Sequence, residues 1–270
     1  MSAGATRLGQ YALWQARDYL WERGVPSLLV GALVLAAPAN TVRQAASQAR
    51  GARAEADVSL LALVLIAATF KVLAFMIVLL SVNGIVSNDR KQGYFRFLFA
   101  KPVSVPRFYA QAFALHGLGA LAATAILLAV FRAAIYPVFP VGTLALVALT
   151  YLSVGGIGFL ISTLSRFDWA TLSVVFALSQ FLRIGFPPGE SWYGRGLHWI
   201  LPPLHKLNDV TDALIRGGNP GGFAIGAAGQ ASALQVSDPA FLHAVLWLAA
   251  WGVGAFVAAL LVLNRRPLAA

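Results

Sequence analysis

NDRKQGYFRFLFAKPVSVPR, residues 88–107, decides how the chain is read. Arg90, Lys91, Arg96, Lys101 and Arg107 are basic, and Asp89 is the one acid. Long apolar runs lie on both sides, so this is a short, positively charged, aromatic-rich connection between two candidate membrane spans. Gly93 to Ala100 are predicted to form a short helix that Pro102 ends. Tyr94, Phe95, Phe97, Leu98 and Phe99 are too many apolar side chains for a solvated loop. They belong in the membrane interface, against neighbouring spans, or in a partner protein. Pro102 and Pro106 make a stiff bend before Phe108 opens the next apolar run.

Composition agrees with a bilayer. The chain has 270 residues, 59% hydrophobic and 11% charged, with a mean hydropathy of +0.74. A soluble domain carries about 25% charged residues. The net charge of +10 raises nucleic acid as a partner, but the basic residues are spread over loops and span ends, as membrane topology requires, so no nucleic acid is expected. There is no cysteine, which excludes disulfides and thiolate metal sites. The first apolar run begins near Val25, behind a polar and aromatic stretch, so no cleavable signal peptide is expected.

A helical span needs roughly 20 mostly apolar residues. Six are expected, over 25–42, 58–86, 108–136, 141–164, 170–186 and 240–263. The fold class is therefore an all-α polytopic membrane protein of one transmembrane domain, 1–270. Six spans put both termini on one side. With that side cytoplasmic, basic residues inside outnumber those outside, and they are concentrated in the short 88–107 loop, where the orientation signal is read. Before the first span, Leu13 and Leu20, and Trp14 and Trp21, recur seven apart, opposed by Gln15, Asp18 and Glu22. That pattern predicts an interfacial helix over 8–23, with the start of a tilted first span as the alternative. The longest connection is the outer segment 187–239. Its aromatic residues, Pro202–Pro203 and the spacing of Leu207, Val210 and Leu214 predict short surface helices before the last span.

Polar residues within spans are candidates for function. Lys71 sits mid-span among Phe70, Val72, Leu73 and Phe75, with no acidic residue in any predicted span to pair it. Either it lines a hydrated pathway and meets an anionic group, or it snorkels to an interface. Gln180 and Arg183 share a helix face. Lys71 and Gln180 are the candidate substrate contacts. Gln111 and His116 either line a cavity or satisfy neighbouring backbone groups. Gly117, Gly119 and Ala123, and Gly254 and Ala258, permit close helix approach, within the chain or to a second copy. His205, Asp209 and Asp212 fall on one helix face, a spacing an amphipathic surface helix also gives, and no metal site is assigned. No H-E-x-x-H, G-x-S-x-G or intramembrane carboxylate pair is present, so no catalytic residues are assigned and the chain is not expected to be an enzyme.

Asp89, Gly93, Leu98 and Pro102-Val103-Ser104 resemble, in type and spacing, the motif of the membrane (permease) subunit of type-2 ABC exporters. The departures are Tyr94 for the family's Thr, Arg96 for an acid, and Val105 for the Arg that follows Pro-Val-Ser. The N-terminal helix, the GGIGFLISTLSR end of the fourth span, the long outer segment and the Asn264-Arg265-Arg266 tail also fit, so the resemblance covers essentially the whole chain. It implies a permease subunit in a bacterial inner membrane, paired with a second permease copy or sibling. Cytoplasmic ABC ATPase subunits, carrying ATP and Mg, would drive export of an amphipathic or lipid-like substrate. It also implies that Asp89, Gly93, Tyr94, Phe95, Arg96, Leu98, Lys101 and Pro102 couple to the ATPase. No cofactor is expected on this chain, since G-x-x-x-x-G-K-[ST] is absent and no Gly precedes Lys71, Lys91, Lys101 or Lys206. A non-transporting membrane scaffold and an intramembrane enzyme are the alternatives.

Overall fold

The structure, a computed structural model, describes residues 2–86, 88–89, 104–135, 142–164, 168–185, 196, 201–204, 206–216 and 236–265. All its elements are helical, with no strand among the described residues. Helix α1 (Ser2–Tyr19), a π-helical turn (Leu20–Gly24) and α2 (Val25–Gln48) form one uninterrupted run, because Tyr19, Gly24 and Val25 all keep right-handed helical backbone angles. The segments expected as an interfacial helix and a first span are thus one continuous rod. After α3 (Ala52–Val82) come α4 (Val105–Ala134) and α5 (Gly142–Thr150). A second π-helical turn (Tyr151–Gly155) leads into α6 (Gly156–Leu164), followed by α7 (Asp168–Gly185), α8 (Lys206–Arg216) and α9 (Pro239–Arg265). Among the described residues, four stretches are long and apolar enough to cross a membrane: Gly9–Gln48, Val105–Ala134, Gly142–Leu164 and Pro239–Arg265. This architecture is compatible with a multi-pass membrane protein.

Helix ends depart from expectation where the backbone dictates. The second span was expected to reach residue 86, but α3 stops at Val82. Asn83 leaves the helix with ψ 124°, and Gly84 adopts φ 73°, a conformation open to glycine without a Cβ penalty. The Val86 N–H then donates to Ser162 Oγ at 3.2 Å. Within helices, hydroxyls turn back on their own carbonyls: Thr124 to Ala120 at 2.9 Å, and Ser153 to Leu149 at 2.7 Å. This satisfies them where no water is at hand.

Contacts fix which helix ends lie together. Gln15 reaches the Phe108 carbonyl, and Val86 reaches Ser162. The first rod's N-terminal part, the end of α3, the start of α4 and the end of α6 therefore share one end of the bundle. At the other end, Arg43 Nη2 donates to the Ala134 carbonyl at 2.8 Å. Helix α8 is one of the expected short helices. It buries Leu207, Val210 and Ala213 against Leu149 of α5 and Phe241, Ala244 and Leu248 of α9.

The centre is aromatic. Phe113 of α4 stacks obliquely on Tyr151 at 4.7 Å, on Phe256 of α9 at 4.7 Å and on Phe159 of α6 at 5.4 Å. Such pairs add about 0.5–1.5 kcal/mol beyond area burial. Helices α6 and α9 approach backbone to backbone. A Cβ on Gly156 would strike the Gly252 carbonyl oxygen, and one on Gly252 would strike that of Leu152. Small residues at such crossings are how helices associate in lipid. Gly252→Val is therefore expected to destabilise the fold by about 1–3 kcal/mol or more, since backbone cannot yield as a side chain can. Gly254→Val, at a position with nothing within 4 Å, is expected to change little. Thermal unfolding of the purified protein in detergent compares the two.

Candidate functional site

The first rod presents Gln15, Tyr19 and Arg23 at intervals of four residues toward α3 and α4. In an ideal α-helix such a stripe drifts around the axis, because four residues exceed one turn of 3.6. The π-helical turn at Leu20–Gly24 winds more slowly and keeps Arg23 on the buried side. The Tyr19 hydroxyl shares a hydrogen bond of 3.0 Å with Ser81 Oγ. Arg23 Nη1 donates to the Ser81 carbonyl at 2.7 Å and lies 2.8 Å from His116 Nδ1. His116 Nδ1 is also 2.8 Å from the Ser81 carbonyl oxygen. A guanidinium nitrogen only donates. The consistent arrangement has Nη1 donate to both the carbonyl and Nδ1, which makes His116 a neutral imidazole with its proton on Nε2. The Tyr19 ring packs on the imidazole at 4.9 Å.

Helix α4 accommodates this knot through its glycines. Gly119 faces the Tyr19 ring so closely that no Cβ fits, and a Cβ on Gly117 would lie 2.7 Å from the Tyr151 ring. Tyr151 belongs to the second π-helical turn, and its hydroxyl donates to the Phe113 carbonyl at 2.6 Å. Tyr19, just before the first π-helical turn, and Tyr151, at the start of the second, thus pack against the His116–Gly119 stretch from two sides. Gly117 and Gly119 serve packing within the chain, whereas Gly254 opens onto the surface.

The second polar contact lies where α3 has ended and α4 begins. The Tyr109 hydroxyl donates to Asp89 Oδ2 at 2.9 Å. Tyr109 is fully buried, edge-on to Phe108, whose carbonyl accepts from Gln15 Nε2 at 3.3 Å and whose ring meets Tyr11 edge-on at 6.0 Å. Burial raises the Asp89 carboxyl above its ordinary range, while the Tyr109 hydroxyl and the Arg23 charge oppose the rise.

Of the residues singled out from sequence, Asp89 is bound to Tyr109. Gly93, Tyr94, Phe95, Arg96, Leu98, Lys101 and Pro102 lie outside the described residues. Lys71 is on α3 and Gln180 on α7, with side chains outside the described set, as are those of His205, Asp209 and Asp212. Structure and sequence part at Gln15, which belongs to the buried stripe while Asp18 and Glu22 are exposed. His116 packs inside the bundle beside the Ser81 carbonyl and meets the Arg23 guanidinium, a partner the sequence did not point to. The knot of Tyr19, Arg23 and Ser81 was missed, and the four-residue spacing of Gln15, Tyr19 and Arg23 is the signal that announces it. No known protein family, no curated protein and no solved structure matches the chain.

His116→Leu removes one acceptor of a part-buried guanidinium and is expected to cost about 1–3 kcal/mol, against about 0.5–1.5 kcal/mol for Tyr19→Phe. Thermal unfolding ranks them. The raised Asp89 carboxyl binds its proton more tightly in the folded chain than in the unfolded one. Its contribution to stability is full below the usual carboxylate value and is lost as pH rises through the raised one. Asp89→Asn is expected to flatten that limb of the stability–pH curve.

Proposed function

We propose that the chain is the permease subunit of an ATP-binding cassette exporter of the type-2 class, moving an amphipathic or lipid-like substrate across a bacterial inner membrane. In this reading it crosses six times, with both termini cytoplasmic. The long first rod, α3, α4, the α5–α6 run, α7 and α9 supply the crossings. The N-terminal portion over 8–23 carries Leu13, Trp14, Leu20 and Trp21 outward into the headgroup layer, a role supported by their exposure of 73%, 65%, 50% and 66%. ATP and Mg belong to a separate cytoplasmic ATPase, and a second permease, identical or sibling, completes the pathway.

The observation that carries this reading is the bond between Asp89 and Tyr109. It ties the start of the basic 88–107 segment to the base of α4, and Gln15 and Tyr11 tie that base to the first rod. A push on the segment from an ATPase is thereby delivered to α1 and α4 together rather than lost in a slack loop. Tyr94, Phe95, Arg96, Leu98 and Lys101 are the proposed contacts to the motor, with Gly93 and Pro102 setting the bend. Lys71 and Gln180 are the proposed substrate contacts.

Purification from native membranes is expected to bring down an ABC ATPase; an assembly without one overturns the proposal. In that assembly, Gly93→Pro and Arg96→Glu are each expected to uncouple ATP hydrolysis from transport while leaving membrane insertion intact. Lys71→Ala and Gln180→Ala are expected to lower substrate-stimulated hydrolysis. Unchanged transport and stimulation in the latter pair would remove them from the pathway.

A further inference from the structure

Arg23 is held from behind and open in front. Among the described residues only its Nη1 is engaged, by the Ser81 carbonyl and by His116 Nδ1. Both partners are uncharged. Among the described residues, Nη2 and Nε donate to no protein group, and neither is among the buried side-chain atoms left unpartnered. The side chain keeps partial exposure, so this edge of the guanidinium is reachable from outside the protein. Glu22 is exposed and Asp89 is engaged by Tyr109; neither is bonded to Arg23. The result is a fixed, largely desolvated cation presenting N–H donors outward with no anion among the described residues bonded to it. A planar guanidinium edge of this kind matches two oxygens of a phosphate, and a desolvated charge is stabilised when an anion reaches it.

Depth says which phosphate. The first rod turns polar at Asn40, and about 20 residues span the hydrocarbon core at about 1.5 Å each. Counting back from Asn40 reaches Leu20, which places Arg23 about one turn inside the far boundary. Exposed Trp21 stands at that level, as belt tryptophans do, and exposed Leu20 supplies apolar surface three residues before Arg23 on the rod. We propose that Arg23 forms a site for the phosphate of an anionic phospholipid drawn from the leaflet at this end of the bundle. The Ser81 carbonyl and His116 are its positioning groups, and Leu20 offers apolar surface to an acyl chain. The site requires the bilayer but not the transport reading, and it stands or falls separately from it.

Native mass spectrometry of the purified full chain, titrated with phosphatidylglycerol or phosphatidylcholine of matched acyl chains, tests this. Wild type is expected to retain phosphatidylglycerol preferentially. Arg23→Gln is expected to weaken that retention about tenfold, the scale of one hydrogen bond to a charged group. Arg23→Lys should lie between them, since an ammonium keeps the charge and loses the fork. Arg17→Gln, an exposed basic residue on the same rod, should leave the preference unchanged. Equal losses in Arg17→Gln and Arg23→Gln would mean diffuse attraction and overturn the site. Displacement of the lipid by millimolar inorganic phosphate would reassign it to a soluble anion. Should Arg23→Gln fail to fold, the lysine variant decides, and a preference as strong as wild type overturns the proposal.

Discussion

Hydrocarbon offers a polar group no water, so a polar side chain carried into the bundle is stabilised wherever the protein supplies it a partner. Arg23 is the severest case, because a guanidinium keeps its proton at any accessible pH. The solution is economical in parts: one carbonyl, that of Ser81, and one imidazole, that of His116, bring three helices to a single point. Around that point the chain bends its own rules of regular winding. The π-helical turn carries Arg23 inward, and glycines on α4 clear room for Tyr19 and Tyr151. The aromatic centre of Phe113, Tyr151, Phe159 and Phe256 then continues the same packing toward α9.

The polar knot and the Asp89–Tyr109 contact are two levels of one assembly. The first fixes the rod to α3 and α4 within the bundle; the second fixes the base of α4 to the connection that follows α3. Phe108 and Gln15 join the levels, so the rod and α4 are held along much of their shared length, down to where Gly31 takes the Leu127 side chain. A pair of helices bound at several depths moves as a body more readily than it shears. That is the mechanical property a driven membrane subunit needs, and it equally suits a rigid platform on which a partner is assembled.

Helix existence was legible because apolar runs are long and end at Gly, Pro or charge. The end of α3 was not legible, because the expected span ran on to residue 86 and the stop depends on Gly84 taking a left-handed conformation. The polar knot was less legible. Arg23 reads as one more charge at a span end, and Ser81 as a hydroxyl near a helix end, until tertiary packing brings its backbone carbonyl to the guanidinium. A carbonyl acceptor leaves no trace in residue type, so that half of the site is invisible to any pattern. Gln15 was placed on the polar stripe with Asp18 and Glu22 because they adjoin on a helical wheel; the slower winding after Tyr19 and the open carbonyl at Phe108 assign it to the other face. Of the small residues expected to allow close approach, Gly117 and Gly119 are filled by Tyr151 and Tyr19 and Gly254 meets nothing, while the backbone crossing falls at Gly156 and Gly252, which the sequence reading did not single out.

Each π-helical turn also amounts to a one-residue insertion absorbed without breaking the helix. Trimming a single residue from Leu20–Gly24 would let ordinary winding resume over four residues, which turn through about 400°, close to what the five slower-winding residues cover. Tyr11, Gln15 and Tyr19 would still face α4, and the span beyond would stay in place. The rod is thus a spliced shaft whose two halves keep the phase they would have without the surplus amino acid, so shortening there would be felt locally, around Arg23, far more than along the shaft.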